Sequence, residues 1–161
     1  FFVSNSFSKN LSLYGERVGG LSVVCKDEAQ AKAVQGQLQF NIRRIYSSPP
    51  SHGGHVVDIV MNDEALFNEW VQEVYVMRDR IKDMRQKLRD SLEAKLPGRS
   101  FEYITKQNGM FSYTGLTPEQ VARIIKDFGI YMVANGRISV AGLNASNIDY
   151  VANAMAEVLK D

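Results

Sequence analysis

Apolar positions along this chain switch period several times, and each switch marks an element. "FFVSNS" (1–6) and "GLSVVC" (20–25) are short apolar runs bounded by polar and glycine residues. They predict two strands joined by the Lys9–Arg17 segment. From Glu28 to Ile45 the residues Ala31, Val34, Leu38, Ile42 and Ile45 step by three and four, one face of an amphipathic helix. Pro49-Pro50 ends it, because proline cannot continue the hydrogen-bonded turn and restricts its predecessor.

"SHGGHVVDIVMN" (51–62) predicts a short apolar helix, and Asn62 is the expected cap of a long one. From Asp63 to about Lys95 the positions Leu66, Trp70, Val74, Met77, Ile81, Met84, Leu88 and Leu92 keep the three/four spacing. At 1.5 Å per residue such a helix reaches roughly 50 Å, longer than one small domain is wide. It therefore reads as a bridge between two domains, its charged stretch "RDRIKDMRQKLRD" as a solvated face, with Pro97-Gly98 as its stop.

Beyond residue 97 the pattern shortens. "SFEYI" and "GMFSY" read as strands, and Thr117-Pro118-Glu119-Gln120 is a capping box with proline at the first helical position. Gly129 closes that helix, which carries Val121, Ile124, Ile125 and Phe128. Asn135-Gly136 between two apolar runs in "IYMVANGRISVAG" predicts a hairpin. Ser146 or Asn147 starts a last helix with Ile148, Val151, Met155 and Val158 inward. This part is expected to be an α+β layer, an antiparallel sheet covered by helices. No internal repeat or low-complexity segment interrupts it.

Composition excludes more than it assigns. Of 161 residues 45% are hydrophobic and 23% charged, enough to bury a core. Lys+Arg 19 against Asp+Glu 18 leaves a net charge of +1, so nothing electrostatic points to nucleic acid. The lone Cys25 sits in an apolar run and reads as a buried thiol, without a disulfide framework. No apolar run approaches membrane-spanning length, and a cytoplasmic protein is expected. His52 and His55 are spaced by three but lack further ligands, so no metal site is expected. Gly19-Gly20 lacks the dinucleotide fingerprint's spacing and precedes a strand. The chain also starts inside an apolar run without a methionine, the expectation for a piece of something longer.

Four separated motifs carry a family resemblance. "SNSFSKNLSLYGERVGGLSVV", "RRIYSSPPSHG", "KQNGMFSYTGL" and "NGRISVAGL", in that order, resemble the C-terminal part of the class I aminotransferases, on the aspartate and aromatic amino acid branch. The resemblance implies an α/β plus α+β fold: residues 1–76 the end of a large domain that binds pyridoxal 5′-phosphate, 77–161 the connecting helix and small domain. It implies that Lys9 forms a Schiff base with the cofactor, an activated imine that an incoming amine can displace. Ser6, Ser8 and Arg17 would then hold the phosphate, where an arginine fork meets two oxygens at once. Arg137 matches the arginine that clamps the substrate α-carboxylate, and Phe111 an aromatic beside the substrate. Arg43 matches the arginine that receives a distal carboxylate in the neighbouring subunit's site, with Arg44 as the alternative. Tyr46 and Ser47 share that segment.

The implied activity transfers the amino group of an aromatic or dicarboxylic amino acid to 2-oxoglutarate. The implied assembly is a homodimer with shared sites, without nucleic acid or membrane partners. An aspartate aminotransferase proper, and a non-catalytic fragment or oligomerisation module, are the competing readings. In the family, a carboxylate on the pyridine nitrogen, a stacking ring and a glycine-containing phosphate loop lie upstream of the lysine.

Overall fold

Strand pairing comes first in the chain. The computed structural model describes residues 1–160 and divides into two compact units, Phe1–Val74 and Tyr75–Asp161. In the first unit, β1 (Phe2–Ser6) pairs antiparallel with β2 (Gly19–Val23), Phe2 opposite Val23 and Ser6 opposite Gly19. Helix α1 (Glu28–Tyr46) starts where Asp27 accepts from the Gln30 amide at 2.8 Å. A carboxylate there satisfies an otherwise orphaned donor and faces the positive end of the helix dipole. Arg43 and Arg44 occupy the last turn, at the negative end.

Helix α2 (His52–Asn62) and the long α3 (Glu64–Lys95) follow directly. The cap of α3 differs from expectation: Asp63, not Asn62, breaks the helix with extended backbone and accepts from the Leu66 amide at 3.0 Å. Asn62 instead ends α2, its amide donating to the Asp58 carbonyl at 2.8 Å. The predicted apolar face of α1 is only lightly covered. Val34 and Leu38 are half-buried, while Ala31, Ile42 and Ile45 are exposed. Cys25, expected buried, is likewise half-buried and free.

The second unit holds the core. All the buried apolar side chains among the described residues fall between Met84 and Leu159. Met84, Leu88 and Leu92, one turn apart on α3, pack with Phe101, Ile104, Val121, Ile124, Val140 and Met155. Truncating a leucine so enclosed costs about 2–5 kcal/mol. Helix α5 (Pro118–Phe128) has the predicted capping box, with Thr117 and Gln120 bonded reciprocally, and ends on Gly129 in the left-handed conformation. Helix α6 (Ile148–Val158) turns Ile148, Met155 and Val158 inward.

Three expectations fail here, each for a tertiary reason. "SFEYI" is not a strand. It forms the short helix α4 (Glu102–Lys106), because Phe101 and Ile104, three apart, both enter the core at 2% and 1% exposure. The Glu93 carboxylate also accepts the Phe101 amide at 3.0 Å. The Asn135-Gly136 turn is present, but residues 130–133 form no strand. Strand β4 (Arg137–Ser139) pairs instead with β3 (Phe111–Tyr113), Tyr113 opposite Arg137 and Phe111 opposite Ser139. Gly136 is required at this junction: its φ is +80°, and an added Cβ would lie 2.9 Å from the Leu116 carbonyl oxygen. Finally, the charged stretch of α3 is not all solvated, since Arg85 is buried at 3% exposure.

Candidate active site

The end of β1 places two hydroxyls side by side. Ser6 and Ser8 stand 3.0 Å apart, Oγ to Oγ, and the Ser8 amide donates to Ser6 Oγ at 3.3 Å. Lys9 follows on the first turn of the connection, exposed, with Nζ 4.1 Å from the centre of the Tyr14 ring. The Arg17 guanidinium carbon lies 5.4 Å from the same ring, and its Nη1 donates to the Tyr14 carbonyl at 3.0 Å. The ring thus carries two cations in cation–π range. Neither makes a salt bridge among the described residues.

Arg17 also holds a strained backbone, with φ at +55°. A non-glycine residue in that region costs of order 1–3 kcal/mol and persists only where surroundings enforce it. Packing supplies the enforcement. Gly53 at the start of α2 is buried against this segment, and a Cβ there would meet Glu16 Cβ at 2.9 Å and Val18 Cγ1 at 3.1 Å. Trp70 on α3 fixes the other side, its indole N–H donating to the Asn10 carbonyl at 2.8 Å. The outcome is a loop with two hydroxyls, an amine and a guanidinium turned outward, a donor set suited to a phosphate and a carbonyl carbon.

The second unit forms a cleft of about 570 Å³. Its walls are mainly apolar, with Ile130, Met132, Ile138 and Val151 among them, and Arg137 supplies its cation. The Arg137 guanidinium carbon lies 5.0 Å from the centre of the Phe111 ring, which lines the same cleft. Arg137 has no carboxylate partner among the described residues. An unpaired guanidinium at an apolar wall can receive the carboxylate of a ligand with an apolar body.

The predicted residues therefore gather in two groups: Ser6, Ser8, Lys9 and Arg17 around Tyr14, and Arg137 with Phe111. Arg43 lies outside both, exposed in the last turn of α1, where its carbonyl accepts the Ser47 amide at 3.2 Å. Arg44 lies over Phe40, 5.5 Å from the ring centre. No group of three His, Cys, Asp or Glu side chains among the described residues could hold a metal ion.

Comparison with known proteins decides the family. The family model described as aminotransferase class I and II matches residues 1–155. The chain belongs to this family. It is 55% identical over 157 residues to the aromatic-amino-acid aminotransferase of Escherichia coli (strain K12), covering 98% of this chain and 40% of that protein. Among solved structures, a psychrophilic aromatic amino acid aminotransferase from Psychrobacter sp. B6, cocrystallised with aspartic acid, superposes with a TM-score of 0.96 at 72% identity. That match covers 99% of this chain and 40% of the other. The aromatic-amino-acid aminotransferase from Burkholderia pseudomallei, covalently bound to pyridoxal phosphate, gives 0.94 at 52%, covering 98% and 40%. This class I and II aminotransferase chain spans about 40% of the length of these relatives.

Three side chains that touch these two groups or their backbone were not marked by the sequence. Tyr14 lies in a quoted motif, but nothing marked it as the ring between two cations. Trp70 and Arg85 sit on α3 at positions that read as packing and as solvated charge. A tryptophan on an apolar stripe is a usable signal, because a buried indole N–H needs an acceptor.

Proposed function

We propose that this chain carries the lysine, part of the phosphate cup and the carboxylate-binding groups of a pyridoxal-phosphate-dependent aminotransferase. In this reading it moves the amino group of an aromatic or dicarboxylic L-amino acid to 2-oxoglutarate. One observation carries it: the Lys9 amine and Arg17 guanidinium, without a salt bridge, share the Tyr14 ring beside the paired hydroxyls of Ser6 and Ser8. The donors fit the cofactor chemically, a phosphate dianion for the hydroxyls and guanidinium and an aldehyde carbon for the amine.

Pyridoxal phosphate, when bound, supplies an electron sink for the negative charge left at the substrate Cα. The chain's own groups position and move protons. Ser6, Ser8 and Arg17 would anchor the phosphate, which would leave the cofactor's carbonyl carbon to Lys9 Nζ. With the cofactor held there, Lys9 Nζ would be the group placed to take the proton from the substrate Cα and to return it, general acid–base catalysis worth about 10²- to 10⁴-fold. Arg137 binds the α-carboxylate common to all amino acids, and the apolar wall with Phe111 accepts the side chain. Arg43 receives the distal carboxylate of aspartate or glutamate in the site of a second copy, with Arg44 as the alternative. The working form in this account is a cytoplasmic homodimer, residues 1–76 ending its cofactor domain and 77–161 forming the connecting helix and small domain. No helix of the described residues is long and apolar enough to cross a membrane.

Lys9→Ala in the full-length protein tests this reading. Loss of the cofactor's protein-bound absorption together with nearly all turnover is expected. Near-normal turnover would end the assignment.

A further inference from the structure

We propose that Arg85 is the positioning residue of the cleft, its guanidinium fixing strand β3 so that the Phe111 ring lies against Arg137. Arg85 Nη1 donates to the Ile104 carbonyl at 2.7 Å and to Ser112 Oγ at 3.0 Å. Nη2 donates to the Gly109 carbonyl at 2.9 Å and to the Phe111 carbonyl at 2.6 Å. One side chain thus joins α4, the turn before β3, and β3 itself. Among the described residues its charge has no carboxylate partner and its Nε no hydrogen-bond partner.

A buried cation without a counter-charge is a poor device for stability alone. An apolar side chain of similar volume is often as good or better at such a position. The planar fork does supply geometry, since its donors diverge at fixed angles and reach several carbonyls at once. Gln107 completes the arrangement. Its Oε1 accepts the Tyr113 amide at 2.8 Å and the Ser112 hydroxyl at 3.2 Å, and its Nε2 donates to the Tyr113 carbonyl at 3.0 Å. Strand β3 therefore has β4 on one edge and the Arg85–Gln107 pair on the other. The backbone so held presents Phe111 to Arg137 and sets Tyr113 directly opposite it.

The consequence for catalysis rests on Arg137 as the carboxylate group, whereas the positional claim does not. A loosened β3 weakens carboxylate binding equally in the ground and transition states. That signature is a raised KM with an unchanged kcat, unlike a loss of folded protein.

The test uses the full-length protein with arginine side chains labelled with nitrogen-15. Phe111→Leu defines the Arg137 Nε–H resonance without the ring. Arg85→Lys is expected to move that resonance at least halfway toward the Phe111→Leu position. It should also raise KM for phenylalanine about tenfold, the equivalent of 1.4 kcal/mol, with kcat little changed. A folded Arg85→Lys protein that keeps the wild-type resonance overturns the proposal. If Arg85→Lys does not fold, Gln107→Ala takes its place with a smaller displacement expected, and a wild-type resonance overturns the proposal equally. Arg137→Lys separates the two claims. An unchanged KM there refutes the carboxylate reading, while the resonance still decides the role of Arg85.

Discussion

The indole N–H of Trp70 donates to the carbonyl of Asn10 at 2.8 Å, joining positions 60 residues apart. Asn10 directly follows Lys9, so α3 holds the main chain from which the lysine projects. Trp70→Phe keeps most of the ring and removes the donor. A hydrogen bond contributes about 0.5–1.5 kcal/mol net, so pyridoxal phosphate retention by the full-length protein should weaken roughly two- to tenfold. Cofactor titration followed by absorption reads this directly. An unchanged affinity in Trp70→Phe would mean that the bond does not steady the loop.

The proposed roles of Arg137 and Arg43 should separate by substrate. Arg137→Ala should impair every amino acid substrate, because each carries an α-carboxylate. Arg43→Ala should impair aspartate and glutamate far more than phenylalanine or tyrosine, which lack a distal carboxylate. Truncating one partner of a desolvated charge pair costs about 2–5 kcal/mol, and kcat/KM for aspartate should fall accordingly. Equal losses on phenylalanine and aspartate after Arg43→Ala would move the distal-carboxylate role to another residue, with Arg44 the first to examine.

Glu93 makes stability depend on pH. Its carboxyl is held below the ordinary range first by the Phe101 amide and then by Arg89, at 3.0 Å each. A carboxyl with a lowered folded pKa adds stability above its unfolded pKa of about 4.3 and loses it as pH falls through the folded value. Glu93→Gln should therefore lower the thermal midpoint at pH 7, and the gap to wild type should narrow as pH falls below about 4. A constant gap across that range would mean that ionisation of Glu93 does not stabilise the α3–α4 connection.

Legibility in the sequence tracked how local each feature is. The start of α1 at Glu28 and the capping box of α5 are set by residues within a few positions, and both were readable. Ser6, Ser8, Lys9 and Arg17 fall in one continuous motif, so their grouping was readable too. "SFEYI" was not, because its helix depends on Phe101 and Ile104 entering a core built by α3 and α5. Arg85 was hidden for the same reason. Its acceptors at Ile104, Gly109, Phe111 and Ser112 lie 19 to 27 residues away, and a charge surrounded by other charges reads as solvated until that loop folds over it. The partner of β4 followed topology as well, since the Asn135-Gly136 turn specifies a reversal but not which strand lies alongside.

The proposed chemistry requires Lys9 as the attachment point of the cofactor. Full-length protein loaded with pyridoxal phosphate, reduced with borohydride, digested and read by mass spectrometry tests that claim most directly. Sub-stoichiometric loading limits slow reaction at other lysines. One dominant modified peptide should carry the pyridoxyl group on Lys9, and it should be lost in Lys9→Ala. A dominant label on any other lysine, or an active protein with Lys9 unmodified, would contradict that claim.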